Sequence, residues 1–141
     1  MNIVDVKGRL HDERVLAMIS LSHYMPTEEK MNILADRYEA DADVFAFAYD
    51  SDSLICGTII LKRLIRNEFE IIGIATDPSF RGQGVASKLV SFAAGYLKCG
   101  LIKAETDDDA VGFYRKYGFQ IESLGEKYPG IVRYLCTLKL S

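Results

Sequence analysis

Six consecutive residues, Arg81-Gly82-Gln83-Gly84-Val85-Ala86, carry the clearest chemistry in the chain. They follow an apolar run, Glu70 to Thr76, that reads as a buried strand, and they precede a helical pattern reaching to about Lys98. Two glycines at such a turn let main-chain N–H groups approach a ligand closely, as phosphate-binding helix starts require. No Asp or Glu stands between Arg81 and Lys98, and Arg81 and Lys88 flank the turn, so the ligand that fits is an anion. A second reactive type is Glu70. Solvated, it is only the end of a strand; at the mouth of a cleft, partial burial would raise its pKa toward that of a useful base.

These residues belong to a chain of 141 residues, 49% hydrophobic and 26% charged, which is long enough for one sizeable core and too short for two ordinary domains. A single domain spanning 1-141 is predicted. The formal charge of −3 argues against a general polyanion binder, so nucleic acid is not an expected partner. Cys56, Cys99 and Cys136 form an odd set without C-x-x-C spacing and read as buried free thiols of a reducing compartment. The opening Asn2-Ile3-Val4-Asp5 lacks the pattern of a secretion signal, and no apolar run is long enough to cross a bilayer. A soluble, cytoplasmic protein without a membrane partner is expected, and a homodimer is left open.

The elements that must position the glycine turn can be read from periodicity. Asn2 to Lys7 alternates as a first strand, and Val15, Leu16, Ile19 and Leu21 form a helical stripe between about Asp12 and Met25. Thr27 begins a second helix as N-cap, with Met31, Leu34 and Tyr38 on one face and an acidic surface from Glu28 to Asp43. Val44 to Tyr49 and Leu54 to Leu64 form a hairpin around Asp50-Ser51-Asp52-Ser53, and Arg66-Asn67-Glu68 turns into the central strand. In that strand Phe69, Ile71, Gly73 and Ala75 should share one face, and Glu70, Ile72, Ile74 and Thr76 the other; both are apolar, so both sides should be covered.

After the turn, Val85, Leu89, Phe92, Ala93 and Tyr96 form the stripe of a helix stopped by Lys98 and Gly100. Leu101 to Thr106 is a strand reached by a βαβ crossover and therefore parallel to the central one. Asp107-Asp108-Asp109 can cap a short helix in which Ala110, Phe113, Tyr114 and Tyr117 share a face. Phe119 to Leu124 and Ile131 to Leu140 complete the chain as strands joined through Gly125 to Gly130. The class is α/β (α+β): a mixed, mostly antiparallel sheet of six to seven strands flanked by about four helices.

Residues 70 to 119 resemble the GNAT family of N-acetyltransferases. The family's acyl-coenzyme A signature is Arg or Gln, two residues, Gly, one residue, then Gly or Ala, which Arg81 to Ala86 match. Its second element is an alanine, a tyrosine four residues on and Gly-Phe soon after, matched by Ala110, Tyr114, Gly118 and Phe119. The resemblance implies an acyltransferase moving acetyl from acetyl-coenzyme A to a primary amine of a small molecule or peptide, with no metal. Gly82, Gln83, Gly84, Val85 and Ala86 would hold the pyrophosphate with Arg81 adding charge. The main chain of Ile74, Ala75 and Thr76 would pair with the pantetheine arm and polarise the thioester carbonyl.

The resemblance also assigns Tyr114 as the acid that protonates the departing thiolate; without it, Tyr114 is a core residue on an apolar helix face. Glu70 lies eleven residues before Arg81, as does the base in the family's histone acetyltransferases, and is the first candidate base. Glu105, Glu68 or a water chain are the others. Asp107 stands where many members have an Asn that contacts the coenzyme arm; an ionised Asp cannot donate, so capping is its expected role. His11, His23, Tyr24 and the Lys127-to-Gly130 turn would frame the acceptor pocket. Two other readings compete. One is a dinucleotide site, for which Ser87 stands at the third glycine position and no second βαβ unit follows. The other is an acyl-coenzyme A sensor or interaction module without turnover.

Overall fold

Apolar periodicity becomes secondary structure over most of the chain. The computed structural model describes residues 2–52 and 54–140. Its strands are β1 (Asn2–Asp5), β2 (Val44–Ser51), β3 (Leu54–Arg63), β4 (Glu68–Thr76), β5 (Leu101–Asp107), β6 (Gln120–Tyr128) and β7 (Ile131–Lys139); its α-helices are α1 (Glu13–Ser20), α2 (Glu28–Ala40), α3 (Val85–Tyr96) and α4 (Val111–Tyr117). The strands form one sheet in the order β1-β2-β3-β4-β5-β7-β6, antiparallel throughout except for β4 beside β5, which the α3 crossover joins in parallel. This is the mixed seven-stranded, four-helix architecture predicted.

The sheet is covered on both faces. α3 and α4 close one side over Phe47, Ile59, Phe69, Ile102 and Cys136, while α1 and α2 close the other over Val6, Leu10, Ala46 and Ile60. The thiols of Cys56, Cys99 and Cys136 are buried and free.

Several boundaries differ from the sequence expectation for local reasons. α1, capped by Asp12 through the N–H groups of Arg14 and Val15, ends at Ser20, and Leu21 is 54% exposed rather than on the stripe. The hydroxyls of Ser20 and Ser22 donate to the carbonyls of Ala17 and Ile19, which competes with continued helix, and Met25 precedes a proline and takes φ 47°. Tyr96, expected on the α3 stripe, is largely exposed, while Val90 is buried in its stead. The stretch expected to link the last two strands is itself strand as far as Tyr128. Two irregularities are absorbed within β6, leaving Leu124 and Lys127 without partners in the register with β7, and the turn contracts to Pro129-Gly130. In the first hairpin, Ser53 of the expected turn lies outside the described residues.

The most consequential difference lies in β4. Ile60 pairs with Gly73 and Leu61 with Ile71, so Ile72 has no partner in the register with β3. This bulge inverts the side-chain alternation. Phe69, Ile71 and Ile74 pack with the α3/α4 core, whereas Ile72 and Ala75 pack with the α1/α2 core, in place of the strict alternation expected. On its other edge β4 pairs with β5 only through Glu68, Phe69 and Glu70, opposite Leu101, Ile102 and Lys103. Beyond Glu70 the two parallel strands diverge.

Candidate active site

The divergence of β4 from β5 opens a cleft of about 720 Å³. Its walls are Ile71 to Ile74 of β4, Glu105 to Asp107 of β5, Tyr114 of α4, Arg133 of β7, and Leu21 to Tyr24 from the α1–α2 loop. A second hollow of about 410 Å³ lies over the start of α3, lined by Thr76, Phe80, Gly82, Gly84, Val85 and Ala86 and, from α4, by Phe113, Lys116 and Tyr117. Arg81 lines both and joins them.

The second hollow is built from main chain. Gly82 and Gly84 have φ 81° and 75°, and a Cβ at either would meet nothing within 4 Å, so glycine is required there by backbone conformation rather than by crowding. Gly84 is the N-cap of α3; no side chain caps it, and no acidic residue stands in the first turn. The opening N–H groups of the helix are thus left for an external acceptor, and the helix dipole adds roughly 0.3–1 kcal/mol for an anion placed there. Gly57 sets the height of this helix. A Cβ on it would lie 2.8 Å from the Ala75 carbonyl oxygen and 2.8 Å from Val85 Cγ1, so only glycine lets α3 seat this close to β3.

The cations are distributed differently from the expectation. Lys88 Nζ donates to Tyr49 Oη at 3.5 Å and lies over that ring, away from the hollow. Lys116 takes its place beside Arg81. Nothing in the sequence marked Lys116, because the approach of α4 to the start of α3 is a tertiary fact; the Ser91–Tyr117 hydroxyl contact of 2.7 Å ties the two helices together.

In the cleft, Tyr114 is 4% exposed, with edge-on ring contacts to Phe113 and Phe119. Burial pushes its phenol well above the ordinary tyrosine value, so it stays protonated and available as a donor. Glu105 shares the cleft. Its Oε1 accepts from Lys127 Nζ at 3.0 Å and Arg133 Nε at 3.4 Å, and these partners hold its pKa below the usual carboxylate value. Asp107 Oδ1 accepts from the N–H groups of Asp109 and Ala110, which holds the turn ahead of α4. The helix itself starts at Val111 with Ala110 as N-cap and no side-chain cap, so Asp107 does not have the capping role expected of it.

Of the residues singled out from sequence, Ile74, Arg81 and Tyr114 line the cleft, and Thr76, Gly82, Gly84, Val85 and Ala86 line the hollow with Arg81. Gln83 and Ala75 are not among the lining residues. Nor is Glu70, which stands one residue before the cleft begins on β4, in register with Lys62 and Lys103. His23 and Tyr24 reach the cleft, whereas His11 lies between α1 and α2 and hydrogen-bonds Asn32 and Asp36. Of the Lys127-to-Gly130 turn, Lys127 meets the cleft through Glu105.

Comparison with known proteins bears on the family and the fold. The chain is 33% identical over 84 residues to the N-alpha-acetyltransferase RimI of Mycobacterium tuberculosis, an alignment that takes in 55% of this chain and 53% of that relative. The chain therefore matches about half the length of that curated relative. Its fold resembles that of the ribosomal-protein-S18-alanine N-acetyltransferase of Escherichia coli, with a TM-score of 0.76 and 16% identity over 99% of this chain and 94% of the other. It also resembles a Bacillus subtilis acetyltransferase solved in complex with coenzyme A, with a TM-score of 0.73 and 19% identity over 99% of both chains. Residues 41–121, more than half of the chain and including the bulged strand, the glycine turn and Tyr114, match the acetyltransferase (GNAT) domain, and the chain belongs to that family.

Proposed function

We propose that the protein transfers acetyl from acetyl-coenzyme A to a primary amine of a small molecule or peptide, by direct attack within a ternary complex. The observation that carries this reading is the junction of an uncapped helix start, fit for a pyrophosphate, with a cleft whose wall holds a protonated tyrosine. The hollow suits the coenzyme's phosphates through the N–H groups of Gly82 to Ala86, Arg81 and Lys116. Past Glu70 the free edge of β4, from Ile71 to Thr76, offers main-chain partners to an extended arm and an N–H to the carbonyl oxygen that becomes negative during attack.

In the proposed reaction the ammonium gives up a proton, its nitrogen forms a bond to the acetyl carbon, and the carbon–sulfur bond breaks as the Tyr114 hydroxyl protonates the sulfur. The second proton, shed by the newly bonded nitrogen, restores the phenol. Glu70, just outside the lining, would receive the amine's proton through a bridging water. The RimI relative and the ribosomal-protein acetyltransferase support an amine of a peptide as readily as that of a small molecule.

The test is a pair of measurements. Acetyl-coenzyme A at a hundred times its Kd should stabilise the fold by about 2.7 kcal/mol and raise Tm by several degrees, while NAD should not. Free-thiol release should then depend on added amine. Stabilisation by NAD alone would overturn the family's ligand for this chain. Coenzyme binding without turnover on any amine of a broad panel would establish a sensor instead.

A further inference from the structure

Glu105 is held unusually for a residue on a cleft wall. Both of its cationic partners, Lys127 from β6 and Arg133 from β7, engage the same oxygen, Oε1. Among the described residues Oε2 has no hydrogen-bond or ion-pair partner, and the carboxylate as a whole is about one-third exposed. One oxygen is therefore held from two strands, and the carboxylate lines a cleft that also contains Tyr114. A carboxylate with a free lone-pair edge is a receptor for an N–H-bearing cation, and a charge-assisted N⁺–H···O⁻ bond is roughly twice as strong as a neutral one.

We propose that Glu105 is the ammonium-binding residue of this chain: its Oε2 receives the acceptor nitrogen as a protonated aliphatic amine, which selects alkylammonium acceptors over aryl amines that are neutral at the same pH. The inference rests on the transferase reading above and specifies its acceptor class. It gives Glu105 a role other than that of base. Two fixed cations disfavour its protonation, so it holds the cation in place, and the proton leaves by the path through Glu70 or water.

The experiment uses the full chain with saturating acetyl-coenzyme A and three probes: alaninamide and spermidine as alkylammonium acceptors, aniline as the neutral one. Binding is followed by calorimetry and turnover by thiol release. Glu105→Gln should raise Kd or KM for alaninamide and spermidine at least tenfold, leave the aniline value within about twofold, and leave the Kd of acetyl-coenzyme A unchanged. Lys127→Met, which removes the internal ammonium competing for the same carboxylate, should lower KM for the alkylammonium probes a few-fold. Unchanged alkylammonium affinity in Glu105→Gln would overturn the inference, as would failure of both alkylammonium probes to bind the wild-type cleft. A loss in Lys127→Met as large as that in Glu105→Gln would also overturn it, because the cluster would then be a structural ion pair. Failure of wild-type protein to bind acetyl-coenzyme A is a different outcome, and it removes the transferase reading itself.

Discussion

The two halves of the site are made by different means. The hollow over α3 is mostly main chain: consecutive residues from Arg81 to Ala86 present N–H groups because two glycines adopt positive φ and no side chain caps the helix. The cleft is side chain, and its members come from the α1–α2 loop, β4, β5, α4 and β7. Recognition by main chain is written into a short segment and tolerates change elsewhere. Recognition by side chains exists only once distant elements have met, so it can vary between relatives while the fold stays constant. A coenzyme common to a family suits the first device, and an acceptor particular to one member suits the second.

The sharpest way to separate the halves is to damage the chemistry without touching the anion site. Tyr114→Phe should lower kcat by about 10²–10⁴, the usual contribution of a positioned general acid, with the Kd of acetyl-coenzyme A unchanged. The phenol oxygen makes no hydrogen bond to the described residues, so the fold should survive the change. An unaltered kcat would remove Tyr114 from the role of acid, and a weakened coenzyme affinity would show that the halves are not separable.

The complementary damage is Gly84→Ala. A Cβ there has room, but φ 75° does not suit it, at a cost of roughly 1–2 kcal/mol. Affinity for acetyl-coenzyme A should fall about tenfold, while the amine's KM stays near its wild-type value. Equal loss on both substrates would break the distinction between the halves. Smaller again is Lys116→Ala. The coenzyme's KM should rise a few-fold at low salt, and the difference should shrink as ionic strength increases and screens an exposed cation. A salt-independent loss would mean that Lys116 acts through packing on Phe113 and Tyr117 rather than through charge.

The same contrast explains what could be read from sequence. The glycine turn, the helix it opens and the parallel strand after it are local patterns, and they stand where spacing put them. The bulge at Ile72 was invisible because each residue from Ile71 to Ala75 is acceptable on either face, so composition cannot register the slip. Glu105 was legible only as one acid among several; its importance comes from Lys127 and Arg133, 22 and 28 residues away. Gly57 looked like an ordinary strand residue, yet it sets how close α3 can sit. Lys88, adjacent to the turn in sequence, was drawn off by Tyr49.

The smallest effect concerns how the acceptor side is held together. α3 is seated by close packing that no pH change touches. α2 is tied to the chain before α1 partly through His11, whose Nδ1 lies 3.0 Å from Asn32 Oδ1 and whose Nε2 lies 2.7 Å from Asp36 Oδ1, with Glu39 beyond. Asn32 Nδ2 already donates to the Glu28 carbonyl, which leaves its oxygen facing the ring. Two acceptors on two ring nitrogens are both satisfied only by imidazolium, so the hydrogen bond to Asn32 first and that to Asp36 next raise the His11 pKa. A raised folded-state value means that the stabilisation is fully present below the unfolded value of about 6.5 and is lost as pH rises through the higher folded one. The Tm difference between wild type and His11→Ala should therefore be greatest near pH 5–6 and fade toward pH 9, and because the ring is exposed it should be small and reduced by salt. A difference that grows with pH would reverse the sign of this argument. A wild-type coenzyme affinity that followed the same curve would show that the two halves of the site share a framework.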